Sequence, residues 1–206
     1  MKLIFATHNK GKIAEMKKIM KGLKIEIQSA DEAGIKEDIV EDGLTFEENA
    51  LIKAKYVSKK KKKWAFADDS GVCITSLSCA PGVFSARWAR KRGSGSAHAS
   101  GKDIVKHTLQ VMKHIPKNHR GAWMEVACAL VSPEGKHWIF TGKVLGAITN
   151  KPRGKFNSKL PYDVIFVPDG YKQTFAQMPN DKINKISHRG QAFSELRSHL
   201  EKIVNK

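Results

Sequence analysis

The sequence predicts an α/β fold built on a mixed sheet, and three observations carry that expectation. Short apolar runs that read as strands alternate with segments of helical periodicity along the chain. Two strand-like runs, Ala122–Val131 and Trp138–Leu145, are joined by Ser132-Pro133-Glu134-Gly135, which predicts a hairpin and argues against a purely parallel sheet. The chain has 206 residues, 41% hydrophobic and 28% charged, the composition of a soluble globular protein with a full core. One domain over residues 1–206 is expected.

Leu3–Ala6 reads as a strand, and Thr7–Gly11 as a polar turn. Ile13, Met16, Ile19, Met20 and Leu23 then recur at helical spacing. Strand, polar loop and basic helix together present backbone N–H groups to a phosphate. Ile25 and Ile27 alternate with polar residues, as in an exposed strand. Thr45-Phe46-Glu47-Glu48 has the form of a capping box, so a helix is expected from there to about Lys60. Trp64–Ala67 reads as a short buried strand, with Ser70-Gly71 as a turn after it. Lys91–Gly101 is a Gly/Ser-rich loop, Ile104–Ile115 a helix and Lys151–Pro161 a loop. Val164–Val167 is a short strand, and Gln191–Val204 a helix with Phe193, Leu196, Leu200 and Ile203 on one face.

Between strand and turn stand Asp68 and Asp69. Adjacent carboxylates at the end of a buried strand repel unless a cation or proton compensates, so the pair is a candidate metal and catalytic site. The alternative is two solvated turn residues. The surroundings are basic, with formal charge +17 and pI near 9.8, which suits a polyanionic partner. The Lys59–Lys63 run reads as a solvated helix end rather than a nucleic-acid patch, because no aromatic-studded basic motif accompanies it. No apolar run is long enough to span a bilayer, and Leu3–Ala6 is too short for a signal peptide. Cys73, Cys79 and Cys128 are odd in number and lack C-x-x-C spacing, so neither a disulfide framework nor a zinc site is expected, and a reducing cytoplasm is. Four polar clusters adjoin regular elements: Thr7–Lys12, Glu41, Asp68–Ser70 and Ser187-His188-Arg189. Together they suit metal-assisted chemistry on a phosphorylated small molecule.

Five ordered segments resemble the inosine/xanthosine triphosphate pyrophosphatase family of non-canonical purine nucleoside triphosphate pyrophosphatases. They are Ala6–Lys12, Glu41–Ala50, Ala67–Gly71, Ala80–Arg87 and Ile186–Ala192. The resemblance implies a two-lobed α/β fold with a substrate cleft along a long sheet, usually as a homodimer. It implies Mg²⁺-dependent hydrolysis of ITP, dITP or XTP to the monophosphate and pyrophosphate. Under it Asp69 is the catalytic acid that activates water, with Glu41 and Asp68 beside it at the metal. Asn9 and Lys12 hold phosphate in a loop lined by Thr7, His8, Lys10 and Gly11. Ser70 lies at the substrate, and His188 and Arg189 read the 6-oxo purine. Arg offers only donors, which matches an oxygen at purine position 6 and leaves an adenine amine unpaired.

Two segments depart from the family pattern. Where the family has G-F-G-Y-D-P, this chain has Ser158-Lys159-Leu160-Pro161-Tyr162-Asp163-Val164, keeping only Tyr162 and Asp163 as substrate-binding candidates. Leu160 replaces the aromatic that covers the base. Ile183 stands where the family has a phosphate-binding Lys, flanked here by Lys182 and Lys185, either of which can take that role. These changes leave open a diverged member with altered nucleotide specificity or weak activity. A basic nucleic-acid-binding protein on the same scaffold is the reading from another class.

Overall fold

The computed structural model describes residues 1–89 and 99–205. Most of the expected Lys91–Gly101 loop therefore lies outside the described residues. The strands are β1 (Lys2–Phe5), β2 (Glu26–Ser29), β3 (Trp64–Ile74), β4 (Gly121–Val131), β5 (His137–Ile148) and β6 (Phe166–Pro168). The helices are α1 (Lys10–Ile19), α2 (Phe46–Lys61), α3 (Gly101–Val111), α4 (Asn180–Ile186) and α5 (His188–Val204). The strands form one six-stranded sheet in the order β2-β1-β3-β4-β5-β6. β1 runs parallel to β2 and β3, whereas β5 and β6 are antiparallel, so the sheet is mixed as expected. Among the described residues no helix is long and apolar enough to cross a membrane.

The chain divides into two compact units, and β3, β4 and β5 each contribute residues to both. The first unit comprises Met1–Asp69, Val126–Gly142 and Arg189–Lys206. Its core gathers Leu3, Phe5, Met16, Phe66, Val126, Leu130, Phe193 and Leu196. Phe5 stacks on Phe66 with centroids 4.0 Å apart, and Phe193 meets Phe5 edge-on at 6.5 Å. Here α2 starts as the capping box predicts: the Thr45 side chain accepts from Glu48 N, and the Glu48 side chain reaches back to Thr45 N. Ile27, expected on an exposed strand, is a buried residue of β2, because its side of the strand faces the core.

The second unit comprises Ser70–Glu125 and Lys143–His188. Val72, Ile74, Ile104, Met112, Met124, Ile148, Phe166 and Phe175 belong to its core. Buried Arg120 ties three segments together, donating to the carbonyls of Met112 (2.7 Å), Ile148 (2.9 Å) and Thr149 (2.9 Å). Each carbonyl gains a charged donor, which satisfies a guanidinium that burial would otherwise penalise.

Three expectations are corrected. β3 does not stop at Ala67: Asp68 and Asp69 lie inside the strand, and Ser70-Gly71 is strand rather than turn. Extended structure resumes because Val72-Cys73-Ile74 is again apolar and buried. The last short strand is Phe166–Pro168 rather than Val164–Val167, because Pro161 begins a 3-10 turn that continues to Val164. Cys73 and Cys79, not expected to belong to a disulfide framework, are bonded as a disulfide. A 3-10 turn at Thr75–Leu77 reverses the chain, bringing the two Cα atoms to 4.1 Å; spacing rules for metal knuckles do not report such a bend.

Candidate active site

In the first unit the polar candidates meet around the two β3 acids. The Asp68 side chain is 1% exposed and Lys12 Nζ donates to its Oδ2 at 2.6 Å. Burial opposes the Asp68 charge, but Lys12, Lys53 and Arg189 outweigh it and hold its pKa below the usual carboxylate value. Asp69, its side chain 14% exposed, behaves oppositely. Burial pushes its pKa up to about 6, with Glu41 and Asp68 adding repulsion against the opposing pull of Lys53 and Asn49. Two neighbours on one strand thus separate into a fixed anion and a group able to exchange a proton near neutrality.

Helix α2 supplies the groups that hold Asp69. Asn49 and Lys53 are four residues apart, so they share a helix face. Asn49 Nδ2 donates to Asp69 Oδ2 at 3.0 Å, while its Oδ1 accepts from Gly43 N at 2.9 Å. A buried amide with donor and acceptor both engaged fixes the loop, the helix and β3 relative to each other. Lys53 Nζ donates to Glu41 Oε1 at 2.7 Å and lies 3.9 Å from Asp69 Oδ1. Burial opposes the Lys53 charge, yet Asp69, Glu41 and Asp68 outweigh it and raise its pKa.

A cationic group therefore already bridges Glu41 and Asp69. This donor set fits a hard divalent cation, since magnesium is held by one or two carboxylates with substrate oxygens completing its shell. Among the described residues no group of three or more acidic, His or Cys side chains forms a larger cage.

The loop before α1 is ordered by its own side chains. Asn9 caps α1, its Oδ1 accepting from Gly11 N at 3.0 Å, and Thr7 Oγ1 accepts from Asn9 N at 3.2 Å. The Asn9 oxygen is thereby engaged and its amide nitrogen is left to donate. His8 is exposed and pairs with Asp31 at 2.8 Å. Lys10 and Gly11 are exposed on the first turn of α1. Arg189 opens toward the same unit from α5, with Nε 3.9 Å from Glu15 Oε2.

The remaining candidates belong to the second unit. Ser70 and Asp163 are half-buried, and His188 is buried at the start of α5. The Tyr162 hydroxyl donates to Ser85 O at 3.1 Å, and burial pushes its pKa up, which makes this ring a packed anchor. Lys182 and Lys185 are both exposed on α4, and Lys182 Nζ lies 4.4 Å from the Tyr171 ring centroid.

Sequence reasoning missed Lys53 and Asn49 as site residues. Their signal was available: a Lys and an Asn on the otherwise apolar stripe of a capped helix need buried partners.

A family model described as the Ham1 family matches residues 3–199. The chain belongs to the Ham1 family. Curated relatives include a dITP/XTP pyrophosphatase of Thermoanaerobacter pseudethanolicus, 39% identical over 202 residues and covering 98% of each chain. The dITP/XTP pyrophosphatase of Bacillus subtilis is 38% identical over 198 residues, covering 96% of each. Among solved structures, a HAM1 protein from Coxiella burnetii superposes with a TM-score of 0.87 at 34% identity, covering 98% of this chain and 99% of that one. Membership of the Ham1 family thus extends over both units.

Proposed function

We propose that this protein hydrolyses non-canonical purine nucleoside triphosphates, dITP or ITP and XTP or dXTP, to the monophosphate and pyrophosphate, with Mg²⁺. The observation that carries the reading is Asp69, whose pKa is raised to about 6 beside Glu41 and the Lys53 ammonium. Relatives spanning nearly the same length bear the name dITP/XTP pyrophosphatase, which supports the same chemistry here.

In this reading Asp69 takes a proton from water as its oxygen bonds to the α-phosphorus. The bond between that phosphorus and the α–β bridging oxygen breaks, and pyrophosphate departs with the electron pair. Glu41 and Asp69 would hold the divalent cation, which neutralises charge on the phosphate oxygens when bound. Lys53 keeps Asp69 within reach of ionisation at neutral pH, because its charge offsets part of the burial penalty. Asn9 and Lys12 face phosphate, and Lys12 would divide its ammonium protons between Asp68 and the substrate. Lys182 or Lys185 adds a second cation to the phosphates. His188 and Arg189 would read the base through donors, with Ser70 and Asp163 also proposed as substrate contacts, whereas Tyr162 serves as a packed anchor. Association as a homodimer in the cytoplasm completes the proposal.

Hydrolysis of dITP in ¹⁸O-labelled water tests the bond that is cleaved. Attack at the α-phosphorus places the label in the monophosphate. Label found in pyrophosphate would contradict the proposed step.

A further inference from the structure

We propose that Cys73 and Cys79 form a reversible thiol–disulfide site that reacts with low-molecular-weight disulfides and thiols. The pair is bonded in the structure, six positions apart in sequence. Backbone contacts hold the two together independently of that bond. Cys79 N donates to Ile74 O at 3.1 Å, Ile74 N donates to Ala80 O at 3.2 Å, and Cys73 pairs with Pro81 as an antiparallel bridge. The bend therefore presents both sulfurs to each other in the reduced protein as well.

A second observation concerns the backbone. Ser78 and Cys79 are successive non-glycine residues with φ of 50° and 73°. Side chains disfavour this left-handed region, so the tip of the bend is held against its local preference. The cross-link adds to the backbone contacts that hold that conformation, and reduction removes only this added contribution. Cys79 is half-buried whereas Cys73 is 1% exposed. This difference assigns the roles: Cys79 meets the external reagent and Cys73 resolves. Cys128, in the other unit, is fully buried, and burial pushes its thiol pKa well above the usual value, which keeps it out of the exchange.

The chemistry balances with glutathione disulfide as the oxidant. The Cys79 thiolate attacks one sulfur of the reagent, whose S–S bond breaks and releases one glutathione thiolate. The Cys73 thiolate then attacks the Cys79 sulfur of the mixed disulfide and releases the second. The protein gives up two electrons and two protons, which appear in two molecules of glutathione. The reverse sequence reduces the site. It lies four positions beyond Asp69 on the same strand, outside the carboxylate cluster.

The test is equilibration of the full chain in graded ratios of reduced to oxidised glutathione, followed by acid quench, alkylation and mass spectrometry. The expected result is a continuous titration between two alkylated cysteines and a Cys73–Cys79 bond. Cys128 is alkylated only after unfolding. Oxidised protein should melt roughly 4–8 °C above reduced protein, as expected for closing a short loop in a chain this size. Cys79→Gly suits the left-handed backbone and should melt at one temperature regardless of buffer. Three outcomes overturn the proposal: no Cys73–Cys79 bond at the oxidising end, a bond intact at the reducing end, or a redox-dependent melting shift that persists in Cys79→Gly.

Discussion

At the scale of single residues, the site rests on how Asp68 and Asp69 are treated differently. Lys12 contacts Asp68 at 2.6 Å and fixes it as an anion, whereas Asp69 faces Lys53 only at 3.9 Å and shares it with Glu41. The consequence is a pKa for Asp69 of about 6. If Asp69 is the base, kcat/KM should fall on the acid side with a limb near pH 6, because the protonated carboxyl cannot accept a proton from water. The Lys53 charge lowers that pKa, so Lys53→Met should move the limb to higher pH, in addition to reducing the plateau. A limb that stays in place would separate Lys53 from the ionisation of Asp69. The acid pair was legible in the sequence because carboxylates are scarce against this basic background. Lys53 stood out only by its place on the apolar stripe of α2; as one of 37 Lys and Arg its type carries no signal, and its pairing with Glu41 and Asp69 depends on tertiary structure.

At the scale of elements, α2 is both a core helix and the support of Asp69 on β3. Its start was readable in detail, because the Thr45–Glu48 box is local chemistry and owes nothing to tertiary structure. Thr45→Ala should cost about 1 kcal/mol in urea unfolding, the usual loss of an N-cap. Gly43 has a tighter role. A Cβ there would lie 2.7 Å from Glu48 Cβ and 2.8 Å from Asn49 Oδ1. Gly43→Ala should therefore displace Asn49 and weaken its hydrogen bond to Asp69. Because that bond lowers the Asp69 pKa, the acid limb should move to higher pH while Thr45→Ala leaves it unchanged. Equal limbs in the two variants would show that Asn49 does not tune Asp69. The length of β3 was not legible, because Asp-Asp-Ser-Gly has poor strand propensity and reads as a turn. What overrides it is non-local: Lys12 lies 56 positions away and neutralises Asp68, and apolar Val72–Ile74 resumes the strand. The Cys73–Cys79 bend escaped for the same reason, since chain reversal rather than spacing brings the sulfurs together.

At the scale of the whole molecule, the positive charge is unevenly divided. The second unit carries 17 Lys and Arg against five Asp and Glu, a formal +12 of the chain's +17. The first unit holds the acids that its site requires, whereas the second has few. A triphosphate carries enough negative charge for such a surface to raise its encounter rate. The mixed sheet was legible from alternating strand and helix periods and the hairpin signal, because these patterns repeat over many residues. Base recognition was less so: Leu160 stands where the resembled family has an aromatic, and Tyr162 turns out to anchor the core through Ser85. Under the proposed reading, oxo-purine selectivity falls mainly to donor groups such as Arg189, whose unpaired alternative with adenine costs about 1–3 kcal/mol. The most direct test is pyrophosphate release from dITP, XTP, dGTP and ATP with Mg²⁺, for the wild type and Asp69→Asn. The expected result is preference for dITP and XTP over ATP by at least about tenfold, and a loss of roughly 10²–10⁴ in turnover on removing the base. Equal turnover of all four nucleotides, or full activity in Asp69→Asn, would contradict the account.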